Sequence, residues 1–216
     1  MPVTEADFRT AVLPFTLKQE GGLSLDKNDP GNWTSGKVGK GTLKGTKYGI
    51  AANSHPTLDI QHLTLDQACD IYWVEYCRGP GFDKLNLPLL QVVFDAGVNC
   101  GPARARAWLA TAAAKATERE QIVAFSALNL AYHKKLATWG RYGKTWGTRI
   151  AACQTHALLL LAAAPAPIAP KVAPPRIEVA PTAPKAATQR PAGFLALLLR
   201  SLAVALTPAP AQPQRA

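Results

Sequence analysis

Two carboxylic acids nine positions apart, Glu20 and Asp29, are the side chains best placed in this chain to do chemistry. Glu20 precedes Gly21-Gly22, and Asp29 opens the turn Asp29-Pro30-Gly31. A carboxyl in the last turn of a helix faces the negative end of the helix dipole, which disfavours the ionised form and raises the pKa. A proton held that way near neutral pH is what a general acid needs. Cleavage of a glycosidic bond commonly takes an acid for the leaving oxygen and a second carboxylate as nucleophile or base. Asp29 is the natural second group. Plain turn chemistry explains it equally well, because Asp before Pro-Gly is favoured by local hydrogen bonding and backbone restriction.

Around this pair lie groups suited to holding a polar substrate: Thr34, Thr46 and Tyr48 in the following polar segment, and Asp95 and Asn99 further on. Asp95 and Asn99 are four apart and share one face of a predicted helix, where they either bind hydroxyl and acetamido groups or hold helices together as a buried polar pair. Tyr48, Tyr72 and Trp73 are able to stack on sugar rings, although such aromatics more often belong to the core. Trp146 and Arg149 read as structural. Lys37, Lys40, Lys44 and Lys47 make the loop basic, either as solvated surface or as an attraction for an anionic polymer.

Other chemistries find no support. The four histidines are scattered with no nucleophile motif beside them, which argues against Ser-His or Cys-His catalysis. Cys69, Cys77, Cys100 and Cys153 form no CxxC pair and have no His at ligand spacing, so neither a metal nor an organic cofactor is expected. Cys69 and Cys77 lie about two turns, roughly 12 Å, apart on one predicted helix and cannot bridge each other. Disulfides to Cys100 or Cys153 stay open. The net charge of +10 draws the protein to polyanions. With no zinc-finger spacing, RRM-type motif or long basic run, nucleic acid is not the expected partner.

Residues 5–19 read as a helix, opened by Thr4 with Asp7 and bent at Pro14. From Leu23 to Lys47 the composition predicts a long loop or a short twisted hairpin. Thr64 with Gln67 opens a helix to about Arg78, stopped by Gly79-Pro80. Further helices are expected from about Pro88 to Cys100, Pro102 to Ala114, Thr117 to Trp139 and Trp146 to Ala163. The fold class is therefore mainly α, without βαβ alternation.

Three regions follow. Residues 1–162 are expected to form the catalytic domain, 163–192 a Pro/Ala-rich linker, and 193–216 an apolar, basic tail. From residue 163 onward six basic side chains face the single acid Glu178, a net +5. The apolar stretch Phe194 to Leu206 would make a helix of about 20 Å, short of the roughly 30 Å that a bilayer requires, with Arg200 in its middle. It reads as a membrane-surface or partner-docking helix. Met1 to Arg9 carry acids and no apolar run, so no secretory signal peptide is expected.

The ordered motifs also resemble those of glycoside hydrolase family 108, bacterial and phage N-acetylmuramidases. Glu20-Gly21-Gly22, Asp29-Pro30-Gly31, a Thr and Tyr48-Gly49-Ile50 are similar to its first segment. Leu63-Thr64 with Ile71-Tyr72 and Tyr76, then Phe94-Asp95 with Asn99, then Trp146 with Arg149 are similar to its later helices. The segment between Thr and Tyr-Gly-Ile is split here, so either Thr34 or Thr46 takes the family's Thr position. Cys77 stands where a Trp is common, and no peptidoglycan-binding pattern is visible after Trp108. The resemblance implies a lysozyme-like helical fold, hydrolysis of the β-1,4 bond between N-acetylmuramic acid and N-acetylglucosamine, and Glu20 as catalytic residue. A monomer acting on peptidoglycan is expected, made in the cytoplasm and working in the periplasm or cell wall after release, with the tail at a membrane surface. The alternatives are a lytic transglycosylase, or a non-catalytic wall-binding or secretion accessory module.

Overall fold

A computed structural model describes residues 2–18 and 21–164. They divide into two compact units, a helical unit of residues 2–16 and 69–164 and a loop unit of residues 17–18 and 21–68. The chain leaves the helical unit within α2 (Leu13–Leu17) and returns to it within α3 (Leu65–Ile71). The mainly α class expected from the sequence is what the chain has, with a small hairpin in the loop unit. The expected linker and apolar tail lie outside the described residues, apart from the first two positions of the linker.

The opening helix starts at α1 (Glu5–Asp7), where Thr4 and Asp7 form the expected capping box. It widens into a π-helical stretch, Phe8–Val12, in which Leu13 N–H donates to the Phe8 carbonyl five residues back, before α2 follows. Pro14 accounts for the widening: it has no N–H to give, and its ring crowds the carbonyl four residues earlier. The sequence suggests a bend at Pro14; the chain changes its hydrogen-bond register just ahead of it. A second π-helical stretch, Tyr72–Arg78, continues α3 and closes with Gly79 N–H on the Val74 carbonyl at 2.8 Å.

The core of the helical unit is α4 (Leu87–Cys100), buried at every position from Pro88 to Val98. A helix buried all round must be covered by its neighbours, and α5 (Pro102–Ala112), α6 (Glu118–Lys134) and α7 (Trp139–Ala163) pack on it. Tyr72 and Trp73, 1% and 7% exposed, are core residues: Phe8 meets Trp73 at 5.3 Å and Phe94 edge-on at 4.8 Å between ring centroids. They are closed to sugar stacking. All four cysteines are free thiols.

Two boundaries differ from expectation. The helix opened by Thr117 ends at Lys134, not Trp139, and Trp139 instead begins α7, seven residues before the expected Trp146. Gly140, Gly143 and Gly147 look like helix breakers in the sequence. Gly143 is there for packing, because a Cβ at that position would lie 2.6 Å from the Trp139 ring.

In the loop unit β1 (Thr46–Lys47) pairs antiparallel with β2 (Ile50–Ala51). The hairpin thus starts at the very end of the Leu23–Lys47 stretch where one was expected and runs past it to Ala51. Tyr48 (φ 51°) and Gly49 (φ 76°) form its two-residue turn, the positive-φ arrangement that matches strand twist. An isolated bridge Ser24–Thr46 stitches the long loop to it, and a second, Trp33–Leu43, closes the loop on itself.

Candidate active site

Glu20 lies outside the described residues. Its neighbour Gly21 is described, and its carbonyl accepts from the Tyr48 N–H at 3.2 Å. Tyr48 is half-buried, with the Lys47 ammonium 5.5 Å from its ring centroid.

Asp29 is buried at 4% exposure and caps a 3-10 turn, Pro30–Asn32. Its Oδ1 accepts from Gly31 N–H at 2.8 Å, which is the turn chemistry anticipated from the sequence. Its Oδ2 is buried with no hydrogen-bond partner among the described residues. Burial pushes its pKa above the ordinary carboxylate value, opposed only in part by the Gly31 N–H. The group therefore caps a turn and still holds an unused, proton-affine oxygen.

The two threonines are placed differently. Thr46 is 2% exposed and donates through Oγ1 to Asn32 Oδ1 at 2.7 Å, while Asn32 Nδ2 donates to the Asp26 carbonyl at 3.0 Å. Thr46 thereby locks the Asp-Pro-Gly-Asn turn to the hairpin. Thr34 is half-buried, and its Oγ1 accepts from Thr42 N–H at 3.0 Å. Of the four loop lysines, Lys44 donates to the carbonyls of Pro56 and Leu58 and Lys47 to that of Gln61. Lys37 and Lys40 stay exposed, so half of the basic run is structural cement.

Asp95 and Asn99 belong to the helical unit. Arg149 grips Asp95 through Nη2 (2.7 Å to Oδ1) and Nε (3.3 Å to Oδ2), and Thr16 Oγ1 donates to Oδ1 at 3.1 Å. Both partners of this pair are buried, at 4% and 8% side-chain exposure. The Asp95 carboxylate is engaged in joining α2, α4 and α7. Asn99 donates Nδ2 to the Asp95 carbonyl at 2.6 Å and lines a polar cavity together with Asn129, His133, Trp146 and Ile150.

Asn129 and His133 are absent from the residues that sequence reasoning singles out as a site. A signal for them exists: Ile122, Phe125, Ser126, Asn129 and His133 are the buried stripe of α6 at helical spacing, and the stripe turns polar at its end. His133 Nδ1 meets the Asn129 carbonyl at 3.0 Å and its Nε2 lies 3.9 Å from Cys100 Sγ. Burial raises the Cys100 thiol to about 12 and lowers the His133 imidazole. Near neutral pH both are uncharged, which is the wrong state for a thiolate nucleophile. Among the described residues no cluster of three His, Cys, Asp or Glu side chains is disposed to hold a metal ion.

The chain is mainly helical, with a buried, proton-affine carboxyl in its loop unit, and part of it is similar to a glycoside hydrolase family. Residues 13–101 match the family described as Glycosyl hydrolase 108, the one its ordered motifs resemble. The fold is similar to that in the "Structure of Brucella abortus SagA", at a TM-score of 0.58 and 23% identity, covering 73% of this chain and 97% of that one. No curated protein matches the chain.

Proposed function

We propose that the chain is an N-acetylmuramidase that hydrolyses the β-1,4 bond between N-acetylmuramic acid and N-acetylglucosamine in peptidoglycan. The observation that carries this reading is the family match over residues 13–101, a stretch containing Glu20, Asp29, Thr34, Thr46, Tyr48, Asp95 and Asn99. Glu20 protonates the leaving oxygen, and Asp29 is the second carboxylate, the role its unpartnered Oδ2 suits. Because burial raises Asp29, activity that requires its ionised form falls off on the acid side at a pH above the ordinary aspartate value.

Release of soluble muropeptides from purified sacculi, followed by mass spectrometry, tests the reaction. Reducing ends mean hydrolysis; anhydro-muramyl ends mean a transglycosylase; tight sacculus binding with no released sugar means a binding module. The protein acts as a monomer in the periplasm or cell wall after release. We also assign residues 163–216 a role in holding it at an anionic membrane surface, from their net +5 and the Phe194–Leu206 run. Deleting 164–216 should lower liposome binding and leave turnover unchanged; equal binding by both proteins would end that assignment.

A further inference from the structure

The segment that carries Asp29 and the segment that follows Glu20 belong to a unit whose strands are two residues each, so no long element sets their spacing. That spacing matters, because the separation of two carboxyls decides how a glycosidic bond is broken. Acids on loops need other support to hold their geometry. In this unit the hydrogen bonds converge on Asn32.

Asn32 is fully buried, at 0% exposure, and each of its polar groups is used. Its N–H donates to the Asp29 carbonyl at 3.1 Å, and its carbonyl accepts from the N–H groups of Lys44 and Gly45, both at 3.0 Å. Its Nδ2 donates at 3.0 Å to the Asp26 carbonyl, which also accepts from the Asp29 N–H at 3.2 Å. The Asn32 side chain thereby closes a ring of bonds over Asp29. Its Oδ1 accepts from Thr46 Oγ1 at 2.7 Å.

Thr46 carries the connection toward the other acid. Its main-chain bonds with Ser24, at 2.8 and 3.0 Å, hold the stretch that follows Glu20, and two residues on the Tyr48 N–H donates to the Gly21 carbonyl. We propose that Asn32 is a positioning residue for the acid pair: through Thr46 it fixes the Asp29 turn against the strand that also grips the segment after Glu20. The hydroxyl hydrogen of Thr46 serves Asn32 rather than a sugar. The inference rests on the reading that Glu20 and Asp29 are the two acids. Loss of the Asn32 side chain leaves its main-chain bonds in place, which keeps such a variant folded.

The test uses the full chain and soluble, uncross-linked peptidoglycan strands. Asn32→Ala and Thr46→Val should each lower kcat at least about tenfold with KM within about twofold, since small misplacements of catalytic groups are costly. Thr46→Ser, which keeps the hydroxyl, should retain most of the rate. The double variant should be no slower than the slower single one, because both changes cut the same bond. A second arm needs no turnover and follows the Asp29 carboxyl by NMR. Burial raises its pKa and no charged side chain among the described residues contributes, so Thr46→Val should bring its titration down toward the ordinary aspartate value. Thr46→Val only exchanges a hydroxyl for a methyl, and serves where Asn32→Ala fails to fold. Full kcat in Thr46→Val, additive losses in the double variant, or an unmoved Asp29 titration overturns the assignment. An unsubstituted protein that releases no muropeptides would instead sink the hydrolase reading, and the Asp29 titration would still decide what Asn32 does.

Discussion

The helical unit and the loop unit are each held together by different forces. In the first, apolar side chains recur at helical spacing, α4 is buried throughout Pro88 to Val98, and one buried ion pair joins three helices. In the second the paired strands are two residues each, and order comes from side chain to backbone bonds and positive-φ glycines. Ser24, Asn32, Thr46 and Gly45 form one connected set, in which Asn32 accepts from Gly45 N–H and from Thr46 Oγ1. Asp29 sits in this second kind of structure. There one carboxylate oxygen takes the Gly31 N–H and the other is buried with no partner among the described residues.

The contrast breaks most severely at the ion pair. Arg149→Met leaves Asp95 charged and buried without its partner, and should lower the unfolding free energy by about 3–5 kcal/mol in a urea titration. A loss below about 1 kcal/mol, the range of exposed pairs, would mean that Asp95 is not shielded as the distances imply.

Glycine substitutions sharpen the comparison with effects of opposite sign. At Gly45 (φ 88°) a Cβ would stand 2.5 Å from the Ser24 carbonyl, so Gly45→Ala should cost about 1–3 kcal/mol. Gly147 is helical, with nothing within 4 Å of where a Cβ would stand, and Gly147→Ala should stabilise by roughly 0.5–1 kcal/mol. Thermal melts of the two variants that move the same way would remove the distinction between the units.

The smallest effect is in pH dependence. Burial lowers the His133 pKa below its ordinary 6.5, so between the folded and unfolded values the unfolded chain binds more protons. Stability from this group is present above pH 6.5 and declines as pH falls through that value toward the folded pKa. Asp29 works in the opposite sense, its raised pKa costing stability as pH rises past the ordinary aspartate range. His133→Gln should flatten the decline of the urea midpoint below pH 6.5; an unchanged slope would assign it to other groups.

These same forces explain what can be read in the sequence. Helices whose stripes bury apolar side chains are legible to within a few residues, as at α4 and α5, because burial imposes the period. The start of α7 is not, because glycine marks a break in isolation, and only the Trp139 ring shows why Gly143 is tolerated. Asp29 is legible as a turn cap, a purely local property. Its unpaired Oδ2 is not, since burial depends on the chain folded around it. Asp95 and Asn99 are legible as one helical face, but the partner that engages Asp95 comes from 54 residues away. The polar end of the α6 stripe, Asn129 and His133, has the right spacing, yet no motif includes it and nothing local marks it as a cavity wall.

The central claim is that Glu20 supplies the proton for glycosidic cleavage. Its most direct test is the rate of muropeptide release from sacculi by the Glu20→Gln protein, with the melting temperature measured alongside. The account predicts a loss of at least about a hundredfold, the lower range of general acid catalysis, at an unchanged melting temperature. Undiminished release by a folded Glu20→Gln protein would contradict it.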